Sequence, residues 1–261
     1  MRLIEGSLAL ALVVAPGCAA CAQDAMRGID LTSPDMTTAE MTRAEIEAAL
    51  KAAPGGHGAD FAGKRFSGLD LSGLDLSGAN LRAARLNHAN LSRAKLDGAT
   101  LDQAWALDVD LTGASLVKAS LFATQMAGAH LDGANLTSAR VTADLNGAHL
   151  VGARFEDADC SADEKNQSMG LMRATFKSAD LSRADLSRAN LARTDLRFAK
   201  LSGANLAGAT LREADASGAD LRGALLQGAD TSGLDVDSAR IDNVAVPYLA
   251  KAIHLERAYQ Q

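Results

Sequence analysis

From Phe61 onward a large apolar residue returns at every fifth position, through Phe66, Leu71, Leu76, Leu81, Leu86, Leu91, Leu96 and Leu101. Alanine usually stands two places before each of these centres, and small or polar residues fill the other three places. A period of five is neither the 2 of a half-buried strand nor the 3.6 of an amphipathic helix, so neither is the repeating unit. Internal repetition at this scale predicts a solenoid. With the centre and the alanine before it pointing inward, the other three residues form a short edge and a corner facing water. Four such units close a square coil, and stacked coils pair their backbones at about 4.8 Å. The region 59–241 then makes about nine coils and a rod on the order of 40 Å long.

The register of centres holds from Phe61 to Val141, after which Leu145 arrives one residue early and Leu150, Phe155 and Cys160 follow it. The motif vanishes through SADEKNQSMG and resumes at Leu171 or Phe176 in the original register. Residues 161–169 are therefore read as a loop on one side of the rod. Asp163, Glu164, Lys165 and Asn166 in it are candidate partner contacts, since loops on rigid scaffolds often carry function; a tolerated insertion is the alternative.

These residues resemble the pentapeptide-repeat family, whose A(D/N)LxX motif is visible in Ala79-Asn80-Leu81, Ala134-Asn135-Leu136, Ala179-Asp180-Leu181, Ala189-Asn190-Leu191 and Ala219-Asp220-Leu221. The resemblance implies an all-β solenoid, a right-handed quadrilateral β-helix. It implies no single function.

Outside the repeat, 1–22 read as an export signal: a short charged start, an apolar run from Leu8 to Ala15, then small residues with a cleavage site before Gln23. Cys18 or Cys21 would make it a lipoprotein signal instead. The apolar run is too short to span a membrane. Residues 23–58 read as a polar linker followed by a capping helix, with Thr42 and Glu45 as a capping box, Ile46, Ala49, Leu50 and Ala53 on one face, and Pro54, Gly55 and Gly56 ending it. Residues 242–261 read as a closing helix in which Tyr248, Leu249 and Ile253 cover the last coil, or serve a C-terminal dimer.

Composition narrows the chemistry. Hydrophobic residues make up 48% but aromatics only 3%, so the core is thin and built of Leu and Ala. A net charge of −6 with scattered Lys and Arg argues against direct nucleic-acid binding. The one Cys beyond the signal, Cys160, sits at a centre and reads as a small buried hydrophobe. His130 and His149 stack in one column with Asp110, too open a set for a dedicated metal site. Asp195, Asp215 and Asp235 form another column, read as turn-stabilising. No nucleophile stands beside a base and no phosphate loop is present, so neither an enzyme nor a cofactor is expected. Trp105, next to the undersized centre Ala106, should face outward beside Arg85 and form a contact patch with Leu107 and Phe122; alternatively the chain slips and turns Trp105 or Leu107 inward. The resulting expectation is an exported, non-catalytic scaffold, periplasmic, extracellular or lipid-anchored, binding an unknown protein. The alternative, implied by the resemblance, is a DNA-mimicking protector or inhibitor of a type II topoisomerase.

Overall fold

A computed structural model describes residues 30–53, 58–162 and 172–260. Each five-residue unit is one extended step followed by a corner. In the unit that starts at Ala79, Ala79 and Leu81 are buried, and Asn80 between them points outward. Asn80 bridges in parallel to Asp60 on one side and Thr100 on the other. The Leu81 N–H donates to the Thr100 carbonyl (2.7 Å), the Ala83 N–H to Asp102 (2.8 Å) and the Asn80 N–H to Ala59 (2.9 Å). The Ala84 N–H closes the corner on the Leu81 carbonyl at 3.0 Å. Three of the unit's five backbone N–H groups are thus paired with the coils above and below.

The second corner residue takes a positive φ, 55° at Ala83, as a type II turn requires. Glycine fills this place about half the time; elsewhere Arg183, Arg193 and even Phe198 adopt it. Asp or Asn before the centre locks the same corner. Asn80 Oδ1 accepts from the Arg82 N–H (3.2 Å) and Asp70 Oδ1 from the Ser72 N–H (3.0 Å). That bond is the physical reason for the A(D/N)L signature.

Four outward columns result, which define four faces in chain order. The first runs from Asp60 through Arg140 to Asp230, and the third from Asp70 through His130 and His149 to Arg240. The fourth runs from Asp75 to Leu225. The second is Arg65, Arg85, Trp105, Gln125, Asp144, Thr175, Asp195, Asp215, Asp235.

Both irregularities fall at the corner after the first face. Gln125 bridges Asp144, a step of 19 residues instead of 20, and Asp144 bridges Thr175, a step of 31. The missing residue leaves Thr142 alone between Val141 and Ala143; it is buried and its Oγ1 has no partner. In the next coil the Ala174 N–H donates to the Cys160 carbonyl at 3.3 Å, the bond that closes every ordinary corner. The additional residues therefore enter at a single corner, between Cys160 and Ala174, and the rod resumes at Phe176. The insertion reaches Arg173, further than 161–169.

At the N-terminal end, α1 (Pro34–Thr37) is one helical turn and α2 (Arg43–Ala52) is a helix with the Thr42–Glu45 capping box formed. Ile46 joins the core, with Ala49, Leu50 and Ala53 packed against it. Arg43 donates to the carbonyls of Asp70 and Ser72 in the first coil, both at 3.0 Å. The polar stretch ending at Met36 is not merely a linker, because Met36 is buried against the rod.

The C-terminal end differs from the expected closing helix. Asn243–Leu249 and Leu255–Arg257 are 3₁₀ helices, with Pro247 inside the first. The chain then adds part of a further coil: Ile253 bridges Asp235, and β2 (Tyr259–Gln260) pairs in parallel with β1 (Arg240–Ile241). Leu249 and Ala245 are buried as covers, whereas Tyr248 and Ile253 stay exposed. Residues 1–22, with the export and lipidation expectations, lie outside the described residues.

Candidate interaction surface

Ala106 occupies its centre and is buried, so the chain does not slip and Trp105 stays on the outside, half-buried, between Arg85 and Gln125. Leu107 follows at the corner after the second face, half-buried, its N–H donating to Asn87 Oδ1 at 3.0 Å. Phe122 stands at the corner before that face, half-buried, its N–H held by Asp102 Oδ1 at 3.0 Å. The three predicted residues therefore flank one face. The guanidinium that stacks on a ring here is not Arg85 on Trp105 but Arg140, 5.4 Å from the Phe122 ring centre. Asp163, Glu164, Lys165 and Asn166 lie outside the described residues. Ser161, which precedes them, falls in the corner column of Phe122 and Thr142, two coils beyond Phe122.

The rod's remaining aromatics sharpen this picture. Phe61, Phe66, Phe155 and Phe176 are buried centres, the first and last pairs meeting edge to face at 5.4 and 6.1 Å. Phe198 is exposed at the corner after the second face, its ring lying over Gly218. Every Trp or Phe side chain the rod turns outward thus belongs to the second face or its two corners.

Charge along this face changes sign. It begins with Arg65 and Arg85 and ends with Asp195, Asp215 and Asp235. Burial works against ionising Asp195, but Arg197 clasps it through two bonds (2.9 and 2.5 Å) and keeps its carboxyl below the usual range. Each member of the Asp column accepts an amide two residues on, from Arg197, Ser217 and Asp237 at 3.1, 3.0 and 2.9 Å. Turn stabilisation is therefore what these carboxylates do. His130 and His149 lie face to face with centroids 4.7 Å apart, and among the described residues no cluster of three His, Cys, Asp or Glu could hold a metal. Burial, reinforced by the Asp159 charge, pushes the Cys160 thiol far up, so it is inert while the rod is closed.

Sequence reasoning missed the segment that covers the start of this face. Asp35 pairs with Arg65 at 2.6 Å, and the Met36 carbonyl accepts from Asn87 Nδ2 at 3.2 Å. Glu40 exchanges backbone and side-chain bonds with Arg65. One methionine in a polar stretch has no periodicity to announce it.

The architecture defines a repeat solenoid that presents flat faces. A family model described as pentapeptide repeats matches in eight copies, which between them cover residues 57–142 and 171–241. The chain belongs to the pentapeptide-repeat family. No curated protein matches it in sequence. Among solved structures, full-length QnrB1, a plasmid-mediated fluoroquinolone resistance protein, is 16% identical with a TM-score of 0.57, over 72% of this chain and 98% of its own. HetL, a pentapeptide repeat protein involved in heterocyst differentiation regulation from the cyanobacterium Nostoc sp. strain PCC 7120, is 30% identical. That match covers 76% of this chain and 98% of HetL, with a TM-score of 0.31. The QnrB1 likeness bears on the fold alone.

Proposed function

We propose that this chain is a non-catalytic, exported scaffold that binds a protein partner or an envelope component through its second face, the corners beside it and the loop carrying Asp163 to Asn166. The observation that carries this reading is the gathering of Trp105, Phe122 and Phe198 on one side of a rod whose other outward positions are small, polar or aliphatic. Outward aromatics are the side chains that most often anchor interfaces. A core filled by stacked centres supports a role without catalysis. Capture from membrane and soluble fractions should yield a partner that the Trp105→Ala/Phe122→Ala variant loses and a fourth-face variant, Lys95→Ala/Arg154→Ala, retains. Equal capture by both variants would refute the assignment of the face. Export is tested by fractionation and by where the mature N-terminus begins; an intact Met1 in the cytoplasm refutes it.

Two further points belong to the proposal. The exposed Val244, Tyr248 and Tyr259 beside the open edge of β2 suit a C-terminal dimer, which sedimentation at rising concentration would detect. Protection or inhibition of a type II topoisomerase ranks second, resting on the likeness to QnrB1 and on the acidic end of the second face. All three of that end's carboxylates already have a cationic neighbour, Asp195 and Asp215 in Arg197 and Asp235 in His254. Supercoiling inhibited by the purified rod would promote this reading.

A further inference from the structure

We infer that the first two rungs of the second face are a binding site for an acidic peptide segment, and that the chain's own residues 35–40 occupy it in this structure. The site is built from Arg65, Ser67, Arg85 and Asn87. Arg65 and Arg85 are bridge partners on adjacent rungs, so two like charges stand on neighbouring positions of one face, where they repel. The covering segment supplies the answering charge: Asp35 on Arg65 at 2.6 Å, and Glu40 near both Arg65 (3.9 Å) and Lys64 (3.7 Å). Met36, 5% exposed, is the apolar anchor, and Asn87 Nδ2 grips its carbonyl.

The fit of this cover is incomplete. Arg65 Nε, Ser67 Oγ and Arg85 Nε are buried with no hydrogen-bond partner, and Ser67 is only 4% exposed. Arg85 has no carboxylate partner among the described residues. Native proteins rarely leave such groups unpaired in a permanent interface. Three of them on the first two rungs of this face mark a surface whose donors and acceptors the present occupant does not saturate. Asp35 is 66% exposed at its side chain, so its contact with Arg65 exchanges readily with solvent or a competing carboxylate. A ligand with one more carboxylate than the cover would reach Arg85 and satisfy what the cover leaves open. The ligand that exchanges with this cover is thus a partner's acidic segment, spaced around an apolar anchor as Asp35, Met36 and Glu40 are. Its site adjoins Trp105, since Arg85 bridges Trp105 and Asn87 holds the Leu107 amide.

The test uses the full chain and a labelled synthetic peptide of residues 30–41, with the fluorescence of Trp105, the sole tryptophan, as a second reporter. Asp35→Lys/Glu40→Lys in the protein releases the cover. The released protein should bind the peptide at least tenfold more tightly than the intact protein does. Affinity should fall as salt rises, and adding Arg85→Gln should weaken it at least fivefold. Equal binding by intact and released proteins with matching thermal unfolding, or equal binding of a peptide in which Asp35 and Glu40 are replaced by Asn and Gln, overturns the inference. Should the double variant fail to fold, hydrogen exchange of residues 35–40 in the intact chain decides: acidic peptide in excess should speed it, and unchanged exchange overturns the site. Trp105→Ala/Phe122→Ala should leave peptide binding intact while abolishing capture of the scaffold's partner, so the two readings fail separately.

Discussion

Because each coil touches only its neighbours, damage to the rod should stay local, and Cys160 is placed to report it. Leu191 is the centre directly above Cys160, whose N–H donates to the Asn190 carbonyl at 2.8 Å, and both side chains are fully buried. Truncating Leu191 to alanine removes packing worth about 3 kcal/mol in a core that cannot collapse. In a one-dimensional stack that loss weakens the two interfaces of one coil and leaves distant ones unchanged. A tenfold change accompanies every 1.4 kcal/mol or so, so the population of openings that expose Cys160 should rise about 150-fold. Alkylation with peptide mass mapping separates Cys160 from Cys18 and Cys21, and with reclosing faster than the reagent the rate tracks that population. Leu81→Ala, several coils away, should accelerate labelling of Cys160 less than threefold. Equal acceleration by the two variants would mean that the rod opens as one unit, and the nearest-neighbour reasoning would fall.

Other consequences follow from single contacts. His254 Nδ1 lies 2.9 Å from Asp235 Oδ1, and this bond raises the imidazole above its ordinary 6.5. The stabilisation is complete below 6.5 and is lost as pH rises through the elevated value. Asp235, depressed below 3.8 by the His254 bond in spite of burial, contributes above 3.8 and loses its contribution as pH falls through its lowered value. Limited proteolysis of residues 242–260 should therefore be slowest between 3.8 and 6.5 and speed up as pH rises through the elevated His254 value, and His254→Gln should remove the upper limb. Asp220, held to about 2 first by the Arg222 side chain and also by its amide, should cost about 1–2 kcal/mol in urea unfolding when changed to Ala. Asn, which keeps the turn acceptor, should cost less. Gly98→Ala meets only the left-handed φ of +66°, with nothing within 4 Å, and should cost about 1 kcal/mol. At Gly58 a Cβ would lie 2.0 Å from the Gly78 carbonyl carbon, so Gly58→Ala should break the first coil and lower the thermal midpoint well beyond the Gly98 variant.

The periodic part of the molecule was legible because its core positions are defined by two residues in five, and Leu-or-Phe with Ala is hard to mistake. The lost residue near Val141 could be read from Leu145 arriving early. The extent of the insertion could not, since it is set by the Ala174 bond to Cys160, which no side-chain pattern marks. The corner conformation was hidden for a different reason. With arginine, serine or phenylalanine in many of the left-handed places, glycine spacing alone does not reveal a turn at every fifth residue. Past Ile241 the pattern of Tyr248, Leu249 and Ile253 suits a helix locally, but pairing of Ile253 and Tyr259 with the last coil overrides that preference. For the candidate surface, the outward position of Trp105 followed from its place before a centre. The cover at Arg65 and Arg85 rests on contacts between residues about thirty to fifty apart, Asp35 with Arg65 and Met36 with Asn87. No periodicity within either segment encodes them.

The corner between Cys160 and Ala174 absorbs eleven additional residues and still closes, while the three-residue step of alanine, outward residue and centre keeps its length in every coil. A molecule built this way can grow at its edges without renegotiating its core. Foreign sequence grafted at another solvent-facing corner, between Asp132 and Gly133 for instance, should be displayed at a fixed height along the rod, each further coil raising it by about 4.8 Å. The fold would then serve as a ruler on which binding elements are set at chosen spacings.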